Sequence, residues 1–344
     1  MEIREVTPDD NTQLLLLTSQ NAMEGNISLR IDRYPSFFSI LEKRGKSMTY
    51  VAEHDHKIIG CFSASENKVY INHKSVSVHY LSDLKVDKTF QAGIAAFRLC
   101  KQMKEYLCSH QANLLMCTVA QGNHKMSPLL NGRLGLPKFH NLGAFHVFQF
   151  LPTRKIIKNN KVEIHDMPIT AELQTAFNSF YASYQLGKII NLNDFQDRLL
   201  VARKEGNVVA AISLFDPSHL KQNVIIHVNP FLRLILNLSR KLLMPSLPSV
   251  GEAIKTIYIN NFYCLPGHDD ALVALVHAAR HVAFLYHYHF VSLGMHAKDP
   301  LIKCFHRFLK FTFHSEGMIA TLRDDDYLIK TVISGIPFED YSLV

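Results

Sequence analysis

Residues 80–119 read YLSDLKVDKTFQAGIAAFRLCKQMKEYLCSHQANLLMCTV. An apolar, alternating segment runs to Val86, a polar turn occupies 87–90, small residues fill 91–96, and a second apolar segment closes the stretch at 114–119. Between the two, Ala96, Leu99, Cys100, Met103, Tyr106 and Leu107 recur at the spacing of one helical face, while Arg98, Lys101, Gln102, Lys104 and Glu105 take the other. The pattern predicts a strand, a tight loop, an amphipathic helix to about residue 110, and a second strand.

The small residues at the helix start leave several backbone N–H groups open to a ligand. The first turn of a helix has N–H groups with no intrahelical partner, and the helix dipole favours negative charge at the same place. Such a turn suits a phosphate group. Small residues at a helix start also serve plain packing, so the local pattern leaves both readings open.

The stretch resembles motif A of the GNAT superfamily of acyl-CoA-dependent N-acyltransferases: a strand ending in Val, a short loop, and Arg/Gln-x-x-Gly-x-Gly/Ala opening a helix. Here Phe90-Gln91-Ala92-Gly93-Ile94-Ala95 lies over the signature. Gly93 and Ala95 match, and Phe90 replaces the usual Arg or Gln. The resemblance implies an α/β fold and binding of acetyl-CoA or another acyl-CoA by Leu84, Lys85 and Val86 together with Gln91, Ala92, Gly93, Ile94, Ala95 and Ala96.

The same resemblance implies direct attack of an amine on the thioester, which needs a base, positioning and oxyanion stabilisation. Asp83 on the strand and Glu24 in a polar loop are the candidate carboxylates, and Asn123 falls where the family has an Asn past the next strand. Strand alternation predicts His79, Leu81, Asp83 and Lys85 on one face and Tyr80, Ser82, Leu84 and Val86 on the other. A Tyr that protonates the leaving thiolate in many members corresponds here to Asn131, which has no titratable proton. Ser127 and Tyr80 are hydroxyl groups that could take that role.

With 344 residues, 47% of them hydrophobic, the chain is long enough for two buried cores. No apolar run approaches the ~18 residues of a membrane-spanning helix, and the opening MEIREV lacks a signal pattern, so the expectation is a soluble, cytoplasmic protein. Six cysteines without a Cys-x-x-Cys pair read as reduced thiols. A net charge of +7 is compatible with coenzyme A, nucleic acid or anionic lipid, and is too diffuse to choose among them. The resemblance makes the expected partner an amine-bearing small molecule or protein, with no nucleic acid, no integral membrane contact and an open oligomeric state.

Upstream, the pattern predicts a strand at 2–6, a helix at 13–19, a polar loop at 21–31, a helix at 34–44 and a hairpin of strands 48–53 and 58–64. The second half repeats this order. Residues 201–210 (VARKEGNVVA) lie over 51–60 (VAEHDHKIIG) without a gap, and Gly267, opening an apolar helix, stands 174 residues after Gly93. The change of offset from 150 to 174 predicts an insertion of about 24 residues within 217–248, where FLRLILNLSRKLL has helical spacing. His277 and His281 lie four apart on the apolar helix but lack the Glu of an HExxH zinc motif, so no metal is expected.

The expectation is thus two tandem GNAT-like units, each a mixed sheet flanked by helices: residues 1–155 binding acyl-CoA, and 162–344 a degenerate copy. Pro266 lacks an amide donor, and Asp269 and Asp270 would compete with a pyrophosphate, so the cofactor belongs to the first unit. The predicted function is transfer of an acetyl or acyl group to an amine. The alternative is a catalytically inactive acyl-CoA sensor or protein-interaction module.

Overall fold

Two hairpins with the same turn geometry begin the two halves of the sheet. Asp55 and His56 have φ of 49° and 62°, and Glu205 and Gly206 have 51° and 80°. Two successive left-handed residues give the turn twist that matches paired strands, and short polar residues or Gly accept it.

A computed structural model describes every residue except 22–26, 91–92, 156, 158, 195–197 and 229–247. The strands of the first half are β1 (Glu2–Glu5), β2 (Ile27–Asp32), β3 (Lys46–His54), β4 (Lys57–Ile71), β5 (Lys74–Val86), β6 (Leu114–Ala120) and β7 (His140–Phe150). Its helices are α1 (Asn11–Gln20), α2 (Ser39–Arg44), α3 (Ile94–Ser109) and α4 (Ser127–Leu130). The second half adds β8 (Glu163–Asp166), α5 (Ala171–Tyr181), β9 (Gly187–Lys188), β10 (Arg198–Lys204), β11 (Asn207–Phe215), β12 (Gln222–Val228) and β13 (Ala253–Ile254). It closes with β14 (Thr256–Cys264), α6 (Asp269–Leu285), β15 (Phe290–His296), β16 (Lys310–Thr321) and α7 (Asp326–Ser334).

Among the described residues, the main sheet is 13-stranded, in the order β1-β3-β4-β5-β6-β16-β7-β15-β14-β11-β10-β8, with β9 beside β4. Within this path β5–β6 and β14–β15 are parallel and the other neighbours antiparallel. The middle of the sheet is an exchange. β7 follows β6 in the chain but lies beside β15, while β16 follows β15 and lies beside β6. The exchanged strands pair with each other, setting His146 opposite His314 with ring centroids 4.8 Å apart. Each half thus supplies a strand without which the other half's parallel pair would end at an open edge.

The helix read over residues 94–110 forms as expected, burying Ala95, Leu99, Cys100, Met103 and Leu107 against Ile59, Phe62, Leu81 and Leu115. On the opposite face α1 and α2 bury Leu14, Leu17, Ile40 and Leu41 with Phe37, Val51, Cys61 and Phe215. The second half buries Leu272, Leu275 and Ala279 of α6 together with Phe177 and Tyr181 of α5.

Two expectations change. The helix expected over 34–44 is limited to Ser39–Arg44, because Phe38 rather than Pro35 caps it. The polar loop expected over 21–31 contains β2, which pairs with β12 (Asp32 opposite Gln222) in a small sheet with β13. The partner strand lies within the segment expected as an insertion, so nothing local announces β2. The helical pattern at 231–243 lies outside the described residues.

The exchange makes an isolated first half incomplete. Residues 1–155 expressed alone are expected to give no cooperative thermal transition by circular dichroism and no monomer peak on gel filtration; a sharp transition in a monomeric fragment would contradict the topology.

Candidate active site

The loop between β5 and α3 is held by its own carboxylate. Asp87 accepts from Lys57 Nζ at 2.7 Å, from Thr89 N at 3.0 Å and from Thr89 Oγ1 at 2.8 Å, while its own N–H donates to Ile59 O. The Lys57 bond, then those from Thr89, draw its pKa down to about 2. Phe90, where the resemblance expects a polar side chain, instead packs edge-on against His54 at 5.5 Å. With Asp87 turned back, no acid stands in the first turn of α3, and no side chain among the described residues caps it.

Gly93 opens that helix at φ 81°, a left-handed conformation that favours glycine, and the space beside its Cα is empty to 4 Å. The first main-chain bond of the helix is Phe97 N–H to Gly93 O. Ile94 and Gly93 are exposed, whereas Ala95 is buried in the core. Gln91 and Ala92 lie outside the described residues, as does Glu24.

β5 and β6 pair over only three positions, Val78–Leu114, His79–Leu115 and Tyr80–Met116. Beyond them β5 continues to Val86 along β4, while β6 continues to Ala120 along β16. The opening is bridged by Tyr80 Oη and Thr118 Oγ1 at 2.6 Å. A cavity of about 210 Å³ reaches this point on the face opposite α3. Tyr80 and Met116 line it from the opening, Arg44 from α2, Lys188 from β9, and Glu339 and Asp340 from the segment after α7.

The cavity is charged. Arg44 is 7% exposed, lies 3.9 Å above the Tyr80 ring, and donates through one nitrogen to Leu343 O; its Nη1 has no hydrogen-bond partner among the described residues. Half-buried Glu339 has its carboxyl pushed up to about 8 by burial, with Arg44 as the largest opposing influence. Lys188 is paired with Asp340 at 2.8 Å. Nearby Lys221 is pushed down to about 7 by burial and by the charges of Arg44 and Arg33. Burial pushes Tyr80 up to about 12, so its hydroxyl stays protonated at neutral pH.

Asp83 is not available as a base. Arg33 grips it with two bonds of 2.8 Å, Lys85 Nζ donates to it, and only 2% of its side chain is exposed. Burial alone would raise its pKa, but Arg33 and Lys85 outweigh that and hold it well below the carboxylate range. The predicted alternation also breaks here. Cys61 faces Lys85 and Ser63 faces Ser82, so two residues of β5 oppose Phe62 in a bulge where Asp83 has φ 57°. The extra residue returns Leu84 and Val86 to the α3 face with Leu81, and leaves Asp83 and Lys85 on the side of Tyr80 instead of with His79. Asn123 and Asn131 sit on exposed turns after β6 and α4 and do not line the cavity.

The second half reproduces this frame and then blocks it. Leu265 N–H donates to Val209 O as Asp87 N–H does to Ile59 O, and Gly267 shares Gly93's φ of 81°. β14 and β15 pair only from Thr256–Phe290 to Tyr258–Ser292, so Tyr258 stands where Tyr80 does. At the start of α6, however, Asp270 is held by Lys204 at 2.7 Å and Asn159 at 3.2 Å, beside Asp269. The second opening is filled by Tyr341, whose ring lies 2.2 Å from where a Cβ on Gly294 would stand, and the space left is about 10 Å³, room for about one water.

A GCN5-related N-acetyltransferase from Anabaena variabilis superposes with a TM-score of 0.53 at 9% identity, over 92% of this chain and 72% of that one. An N-myristoyltransferase from Saccharomyces cerevisiae, solved with bound myristoyl-CoA, superposes with a TM-score of 0.62 at 11% identity, over 93% of this chain and 82% of that one. The chain has the GNAT fold. No family model and no curated protein matches the sequence.

Within the GNAT fold, Arg44, Thr118 and Glu339 were not legible as site residues. Arg44 reads as an ordinary helix C-terminal base, and Glu339 lies in IPFEDY with no motif around it. No helix among the described residues is long and apolar enough to cross a membrane.

Removing the Asp83 charge strands Arg33 in the interior. Asp83→Asn is expected to lower unfolding free energy by about 3–5 kcal/mol, read from the denaturation midpoint. Because the folded pKa is depressed, the wild-type network stabilises fully above the unfolded value of about 3.9 and loses its contribution as pH falls below it. A variant as stable as wild type at pH 7 would refute this role.

Proposed function

We propose that the chain is an acyl-CoA-dependent N-acyltransferase whose first unit, residues 1–155, binds the carrier and whose second, residues 162–344, shapes the acceptor pocket. The observation that carries this reading is the continuity of three features. Among the described residues the Gly93 turn has no cap and no acid, the β5–β6 pair opens beside it, and that opening meets a cavity of about 210 Å³ on the other face. The equivalent opening in the second half is filled, which supports one carrier site per chain.

Acetyl-CoA, or another acyl-CoA, is the co-substrate. Its diphosphate suits the amides around Gly93, with Gln91 and Ala92 completing the turn. Leu84, Lys85 and Val86 border the opening along which its thioester would run, and an amine in the cavity would reach the thioester from the opposite face. Tyr80 offers a protonated hydroxyl at the junction for the departing sulfur. Holding the two reactants on opposite faces of one gap makes the transfer effectively intramolecular. The acceptor is an amine-bearing molecule.

A carboxylate placed in the Gly93 turn competes for the same amides. Gly93→Asp is expected to weaken acetyl-CoA binding about tenfold or more against Gly93→Ala, which carries the same backbone strain without the charge. Calorimetry on both variants, with thiol release measured alongside, tests this; equal affinities would refute the assigned carrier site.

A further inference from the structure

The cavity is lined by an incompletely satisfied guanidinium and by a carboxyl that burial keeps largely protonated at neutral pH and that a cation beside it would ionise. Arg44 is fixed by the Tyr80 ring and by Leu343 O, yet its Nη1 is buried with no hydrogen-bond partner among the described residues. A buried donor on a charged group without an acceptor costs about 1–3 kcal/mol or more, so the site favours an incoming anion. Glu339 lines the same cavity, accepts a hydrogen bond from the Asp340 backbone N–H, and has no ion pair to Arg44 or to another described residue. A carboxyl has more acceptor sites than that one bond uses, which leaves room for an incoming ammonium.

The rest of the lining narrows the choice. Lys43 and Lys68 add positive charge, and the Asp340 carboxylate is already held by Lys188. Lys221 is lowered in pKa first by its burial and then by the charges of Arg44 and Arg33, the second part of which an anion beside Arg44 would relieve. A polyamine meets repulsion here. The volume of about 210 Å³ is somewhat larger than the ~150 Å³ cavity that takes one benzene, the scale of a single small molecule such as an amino acid.

We propose that the acceptor carries a carboxylate close to its amine, as an α-amino acid does, with Arg44 binding the carboxylate and Glu339 receiving the ammonium and taking its proton. This rests on the acyltransferase reading. The ammonium gives one proton to the Glu339 carboxylate, and the freed amine lone pair forms a bond to the thioester carbonyl carbon. The tetrahedral adduct then breaks its C–S bond, the sulfur leaves with the electron pair and takes the Tyr80 hydroxyl proton, and the second amine proton restores the Tyr80 hydroxyl. Glu339 returns its proton to solvent.

The test uses the full chain, with three acceptor sets: the standard α-amino acids, their carboxamides, and spermidine. Binding is measured by calorimetry without any carrier, and turnover by thiol release from acetyl-CoA. At least one amino acid is expected to bind and react with kcat/KM about tenfold or more above its carboxamide. Arg44→Met is expected to reduce that ratio to near one, chiefly through KM, and Glu339→Gln to lower kcat about a hundredfold with KM changed less than threefold. Should Arg44→Met fail to fold, the amino acid and carboxamide comparison on wild type decides alone. Equal or better use of carboxamides or spermidine overturns the proposal while leaving the acyltransferase reading intact. Failure of every amino acid to bind likewise overturns it. Loss of the acyltransferase reading is separate: it would show as no binding of acetyl-CoA by the wild-type chain.

Discussion

Two strands that pair over three residues and then part are the constraint on which this structure turns. A parallel pair that separates leaves main-chain donors and acceptors along the gap without their usual partners, and such groups are tolerated only where something else approaches them. Beyond Tyr80 and Met116 each strand keeps its outer neighbour, β4 on one side and β16 on the other, so the gap is held open by a sheet continuous on both flanks. The Tyr80–Thr118 bond ties its narrow end. The bulge at Asp83 lies just past that end, where a change of strand direction is needed.

The strand exchange at the centre makes the two gaps parts of one object. β16 supports the first gap from the second half of the chain, and β7 supports the second from the first half. The two gaps nevertheless have different fates. Gly294 admits the ring of Tyr341, and the segment that carries Tyr341 continues past the first gap, where Glu339 and Asp340 line the open cavity. One segment therefore closes one gap and furnishes the other.

Charge follows the same division. Around the Gly93 turn the nearby carboxylate, Asp87, is turned away onto Lys57 and Thr89, which leaves the α3 amides without an acid among the described residues. At the equivalent turn Asp269 and Asp270 stand in the first turn of α6 and satisfy the positive end of that helix from within. Arg33 is paired with Asp83, whereas Arg44, which lines the cavity, has no ion pair among the described residues.

Elements whose signals are local could be read from the order of residues alone. The helical period of residues 94–107, the strand before it and the two hairpin turns all depend on neighbours a few residues apart, and all were legible. Features that depend on distant partners emerge with the folded chain. A bulge of one residue moved Asp83 to the other face and into the grip of Arg33, 50 positions away. β2 exists because β12 pairs with it, and Arg44 and Glu339 meet only because the chain's last strand and helix return across the first half. Periodicity encodes which face of an element is buried; it carries no record of which distant charge will lie opposite, because that is set by sheet order and register.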